Sequence, residues 1–201
     1  SNEKQEGLRE SFFCARHGVD VKSASTWGSG KRYYDLELFK KGVRLFLSAE
    51  NKFATSETYQ VDKVDFLRQV IANNGSVAYE KMNDAIKDKN LSAFKNQSAI
   101  FLNYLLLQDS LLSTNKYFKL STWLLQAEKI GARDSDKKLA IKNAKMQITI
   151  WGPDWDPKTT IRDYAAKEWS GLLKSFYYPR WKMFAEEQTA LLDGRTTKSV
   201  D

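Results

Sequence analysis

From about Thr58 to Leu112 apolar residues return at every third or fourth position, a period that suits helices and excludes half-buried strands. Val64, Leu67, Ile71, Gly75, Ala78, Met82 and Ala85 or Ile86 form a first stripe. Leu91, Phe94, Ser98, Phe101, Leu105, Gln108 and Leu112 form a second, a seam suited to near-antiparallel packing. Gly75 lies within the first stripe, where it lowers helix propensity but permits close packing of another helix. Alternatively, Asn73, Asn74 and Gly75 kink the helix there.

The remaining chain reads in the same way. Leu36, Phe39, Val43 and Phe46 or Leu47 mark one helical face between Tyr34 and Leu47, with Lys40, Lys41 and Arg44 off it. Residues 48–57 are polar and loop-like. Phe118, Leu120, Trp123 or Leu124, Ala127 and Ile130 give a shorter helix that stops at Gly131. Asp134 or Ser135 opens a helix running into Trp151. Strand-like alternation is nearly absent beyond residue 30. The expectation is an all-α, bundle-like domain of about six or seven helices over residues 33–201. An extended, irregular N-terminal connector, residues 1–32 and punctuated by Gly7, Gly18, Gly28 and Gly30, precedes it.

At 201 residues the chain can bury a real core, as one large domain or two small ones. The apolar part of Ile100–Leu112 is too short to span a membrane and is interrupted by Asn103, Gln108 and Asp109. No signal-peptide pattern is present, and Ser1-Asn2 reads as a tag remnant on an excised piece of a longer protein. A net charge of +7 suits nucleic acid, an anionic membrane or an acidic polysaccharide. The 25 acidic residues are interspersed with the basic ones, however, so the lysines read as solvated helix faces and no nucleic-acid partner is expected. The lone Cys14 rules out an intrachain disulfide. Cys14 and the only histidine, His17, lack the further ligands or orienting groups that a metal or nucleophilic site needs. Residues 27–31, Trp-Gly-Ser-Gly-Lys, are too short for a phosphate loop, so no cofactor is expected.

Residues 143–181 carry four of the six tryptophans (Trp151, Trp155, Trp169, Trp181) and all three prolines. Gly152 and Pro153 stop the preceding helix, because proline has no N–H and a fixed φ. Asp154, Asp156 and Pro157 make a rigid polar connector. Thr160 and Asp163 then look like the start of a second helix, followed at helical spacing by Ile161, Tyr164 or Ala165, Glu168 or Trp169, Leu172 and Phe176. Gly171 would let another backbone approach. The tryptophans are core anchors of a helix–helix corner, or Trp151 or Trp155 faces a sugar ring across a cleft.

Four blocks of this stretch, in order, carry a resemblance: Ile148-Thr-Ile-Trp-Gly-Pro153, Asp163-Tyr-Ala165, Trp169-Ser-Gly-Leu172 and Tyr177-Tyr-Pro-Arg-Trp181. Together they resemble the C-terminal helical domain of α-N-acetylglucosaminidases, glycoside hydrolase family 89. The similarity covers nearly the whole chain, more weakly before residue 60. His17 and Lys145 stand where the family often has Pro and Arg, and Lys cannot reproduce the two-pronged fork of Arg.

The resemblance implies a retaining, exo-acting parent enzyme that removes terminal non-reducing α-linked N-acetylglucosamine from heparan-type or mucin-type glycans, without metal or nucleotide. Such enzymes use two carboxylates about 5–5.5 Å apart. Asp62/Asp65, Asp154/Asp156 and Glu186/Glu187 are the pairs to weigh here, and each suits a turn, a helix start or a solvated face. In the family the catalytic carboxylates lie in an upstream (β/α)₈ barrel, which this chain lacks. The resemblance therefore implies no catalytic residue here; the chain is one wall of the substrate cleft, inactive alone. Aromatic faces stack on sugars and polar groups hold hydroxyls, so Trp27, Trp151, Tyr164, Arg16 and Asp163 are the cleft candidates. Full-length relatives are secreted, periplasmic or, in animals, lysosomal. The rival reading is a non-catalytic helical binding or scaffold domain for an acidic polymer or a protein partner.

Overall fold

A computed structural model describes residues 11–22, 24, 34–151 and 165–195. The described residues form seven α-helices and no strand; one isolated β-bridge joins Lys119 to Ser170. The fold is all-α, as the apolar period predicts.

Its spine is an antiparallel hairpin of α3 (Glu57–Lys87) and α4 (Leu91–Leu112). The Ser56 hydroxyl caps α3 by accepting the Tyr59 N–H. The connection takes three residues. Lys89 adopts φ 52°, and the Asn90 N–H reaches back to the Ala85 carbonyl at 2.8 Å. The Asn90 side chain then caps α4 through the Ala93 N–H. The seam residues Phe94, Ser98, Phe101, Leu105, Gln108 and Leu112 are all buried.

No kink occurs at Asn73–Gly75; α3 runs through them unbroken. What uses the gap at Gly75 is a ring rather than a helix. A Cβ built there would lie 2.3 Å from the Phe13 ring. Phe13 belongs to the connector, where a short 3₁₀ turn, Phe12–Cys14, seats Phe13 and Cys14 in the core. The Trp181 indole N–H donates to the Phe13 carbonyl at 3.1 Å and fixes this seat.

Helix α1 (Leu36–Leu47), capped by Asp35, lies against α3 with Phe46 stacked on Tyr59 at 4.5 Å. The stretch read as a loop contains a single-turn helix, α2 (Glu50–Phe53). Helices α5 (Leu120–Glu128) and α6 (Asp134–Gln147) pack as a second hairpin. The Trp123 indole N–H bridges them by donating to the Ala144 carbonyl at 3.1 Å. The last helix, α7 (Tyr178–Leu192), packs on α4. A π turn over Leu173–Tyr177 leads into it, and its wider spacing accommodates Pro179, which donates no backbone bond.

The expectation of one helix from about Thr160 through Phe176 fails over residues 165–171. These residues are not helical. Ala166 (φ 41°) and Gly171 (φ 87°) are left-handed and break the repeat. Ser170 instead pairs with the backbone before α5: its N–H donates to Phe118 O at 2.8 Å, and its carbonyl accepts from the Leu120 N–H at 3.0 Å. The expected close approach at Gly171 is this one; a Cβ there would already touch Leu120 at 3.5 Å. Thr160 and Asp163, read as the helix start, lie outside the described residues.

Candidate functional site

Helix α6 stops at Gln147, four residues short of Trp151. Ile148 is buried in the main core and closes the helix end. The Trp151 N–H returns to the Met146 carbonyl at 2.9 Å, and to close that bond Trp151 takes φ 46°. Glycine or asparagine ordinarily fills such a position, and a bulky residue there carries strain of about 1–2 kcal/mol. The side chain remains 38% exposed. A large aromatic is thus held at the surface by the backbone bond of a helix end rather than swallowed by the core.

Arg16 follows the buried residues Phe13, Cys14 and Ala15 and is itself exposed. No carboxylate pairs with it among the described residues. Ala15 and Ile148 belong to the same core cluster, so Arg16 and Trp151 each stand just outside one shared core. The other three candidates, Trp27, Asp163 and Tyr164, lie outside the described residues, as do Trp155, Asp154 and Asp156.

The densest polar cluster is one that the sequence pattern had hidden. Glu168 fits the helical stripe by spacing, yet it sits in the non-helical return segment and is buried. Its carboxylate accepts from the Ser11 hydroxyl, from the Gln108 amide at 2.9 Å and from the Arg68 guanidinium. Arg68 also donates to Asp65 at 2.9 Å. Burial disfavours the Arg68 charge, but the carboxylates of Glu168 and Asp65 outweigh it and hold its pKa above the usual value. Next to Gln108 on α4, Asp109 accepts the Gly171 N–H at 2.7 Å and the Lys174 N–H at 3.0 Å. It thereby caps the π turn from another helix. A glutamate at a position of the apolar stripe was the one signal by which this cluster was findable, since lone charges are almost never buried unpaired.

The carboxylate pairs that fall within the described residues are accounted for structurally. Asp65 serves Arg68, Asp62 is exposed, and Glu186 pairs with Lys182 at 3.4 Å. His17 packs beside Trp181 and Phe184. No group of three metal-ligating side chains gathers among the described residues. A cleft of ≈ 370 Å³ opens between Val21 and the α3 residues Tyr79, Asn83 and Lys87. Several of its polar groups are already engaged: the Tyr79 hydroxyl bridges Val21 and Gly18, and Lys87 lies 3.3 Å from Asp20. It includes neither Arg16 nor Trp151.

All of this chain superposes, with a TM-score of 0.92 and 34% identity, on 23% of a family 89 glycoside hydrolase from Clostridium perfringens solved in complex with PUGNAc. The same enzyme, as a double Glu→Gln variant in complex with its substrate GlcNAc-α-1,4-galactose, matches equally well. The architecture is therefore that of a helical portion of a glycoside hydrolase. The chain belongs to the α-N-acetylglucosaminidase (NAGLU) C-terminal domain family, whose model matches residues 1–201. Human α-N-acetylglucosaminidase is 33% identical over 152 residues, which make up 75% of this chain and 19% of the human protein. The chain thus spans about a fifth of the length of these relatives.

Proposed function

We propose that this chain is the C-terminal domain of a retaining, exo-acting α-N-acetylglucosaminidase. The full-length protein hydrolyses terminal non-reducing α-linked N-acetylglucosamine on heparan-type or mucin-type glycans. The observation that carries this reading is the superposition of the whole chain on a fifth of an enzyme solved with such a sugar. Both catalytic carboxylates lie in an upstream (β/α)₈ domain of the same polypeptide, and residues 1–32 are the connector from it. The helical domain closes one side of the substrate cleft and is inert alone. The protein is secreted or periplasmic.

In this reading Trp151 presents an aromatic face to the sugar ring, and Arg16 offers a fixed donor fork to hydroxyl or carbonyl oxygens. Trp27, Tyr164 and Asp163 complete the wall. The strain at Trp151 fits a residue kept for binding rather than for stability.

The test is hydrolysis of a chromogenic α-N-acetylglucosaminide by the isolated chain and by the full-length protein. Turnover by the full-length protein alone is expected; turnover by the isolated chain would sink the reading. In the full-length protein Trp151→Gly relieves the backbone strain while removing the ring. KM should rise about threefold to tenfold with kcat little changed, as for loss of uniform binding.

One observation favours the rival reading. Lys138, Lys142 and Lys145 line an exposed face of α6, and no carboxylate pairs with them among the described residues. A non-catalytic domain binding an acidic polymer would use such a face. Salt-dependent retention of the isolated chain on a sulfated polysaccharide, abolished by changing all three lysines to glutamine, would support it.

A further inference from the structure

We propose that Glu168 is a positioning residue for the cleft wall, holding the Arg16 segment through Ser11 and α3 through Arg68 in one fixed relation to the return segment 165–171. The inference rests on the cleft-wall reading above. Glu168 is 9% exposed, and its donors come from three separate parts of the chain: Ser11 in the connector, Arg68 on α3 and Gln108 on α4. Ser11 and Gln108 are also buried, at 4% and 0% exposure.

Stability alone gives little reason for such a cluster. Well-packed apolar side chains in place of a buried ion pair are often neutral or stabilising. What a guanidinium and a carboxylate add is direction: the planar fork accepts a narrow range of angles, whereas apolar contacts tolerate a slip. That direction reaches both described wall candidates. Ser11 lies five residues before Arg16, joined to it through the buried turn Phe12–Cys14. On the other side, Trp169 follows Glu168 and packs on Trp123 at 5.9 Å. The Trp123 indole N–H holds the Ala144 carbonyl of α6, the helix that ends in the turn carrying Trp151. One carboxylate therefore sets the spacing between two surfaces that meet the sugar.

The experiment uses the full-length protein and a chromogenic α-N-acetylglucosaminide. The paired variant Arg68→Met with Glu168→Leu removes both charges and keeps the volume. We expect a lowered melting temperature, because the Ser11 hydroxyl and the buried Gln108 amide lose their acceptor, and a KM raised about tenfold, with kcat less affected. An unchanged KM would overturn the proposal, because the pair would then serve at most the fold. Ser11→Ala deletes one hydroxyl and decides the matter if the paired variant fails to fold. KM is expected to rise about threefold with only a small fall in melting temperature, and an unchanged KM overturns the proposal. No turnover by the unaltered full-length protein would instead bring down the cleft-wall reading, and this inference with it.

Discussion

Gly75 and Phe13 occupy one site between them, and the geometry states what a methyl group would do. At 2.3 Å from the ring, the Cβ of Gly75→Ala would force Phe13 out of a seat that Phe101 and Trp181 complete. Overpacking of this kind costs about 1–3 kcal/mol. The isolated chain should show that loss as a lower urea midpoint with an unchanged slope. Tyr79 supplies a second residue-scale prediction. Its hydroxyl donates to Gly18 O and accepts the Val21 N–H, both at 2.8 Å, and burial raises its pKa above the ordinary tyrosine value. The folded state therefore binds this proton more tightly than the unfolded state. The stability it contributes is whole below about pH 10 and is lost as pH rises through the folded-state value. Urea midpoints measured across that range should fall more steeply for the parent chain than for Tyr79→Phe. Gly75 was legible as a gap in a stripe, but its occupant was not. Phe13 lies in a segment without periodicity, and nothing local announces that a connector residue enters a helix groove.

Helices that bury a regular face were readable almost to their ends. The α4 seam is the clearest case, since every second-stripe residue from Phe94 to Leu112 is buried. The return segment 165–171 misled for a physical reason. Leu172 and Phe176 belong to a true helical turn, so the residues before them inherit the period by chance. The real terminus is set from outside by Asp109, a tertiary cap with no local signature. Asp109→Ala should leave two N–H groups poorly satisfied and cost about 1–3 kcal/mol. Amide exchange tests the placement of that loss: protection of residues 171–178 should fall first, while the α3–α4 hairpin stays protected. Exchange that rises uniformly would mean that Asp109 does not act as this cap. Of the proposed site, Arg16 and Trp151 were named by residue type and resemblance, whereas Glu168 was hidden inside a false helical stripe.

At the scale of the whole molecule, several large apolar side chains remain uncovered. Leu38 and Leu45 project from α1 at 69% and 74% exposure, and Ile130 and Leu139 from the second hairpin at 81% and 58%. Scattered apolar residues are ordinary, but two such side chains seven residues apart on one helix favour association while nothing covers them. The isolated chain should therefore self-associate at high concentration in sedimentation velocity. Leu38→Glu with Leu45→Glu should shift it toward the monomer if α1 carries the contact. The Phe13 seat has one more consequence, and it concerns the order of synthesis. Phe13 leaves the ribosome well before its partners, for its ring needs the groove at Gly75, and its carbonyl needs the indole of Trp181, 168 residues later. Until that last helix emerges, the leading segment has no completed place to go. A stop codon shortly before Trp181 would then free the Phe12–Cys14 turn, although the lost indole lies 168 residues beyond Phe13.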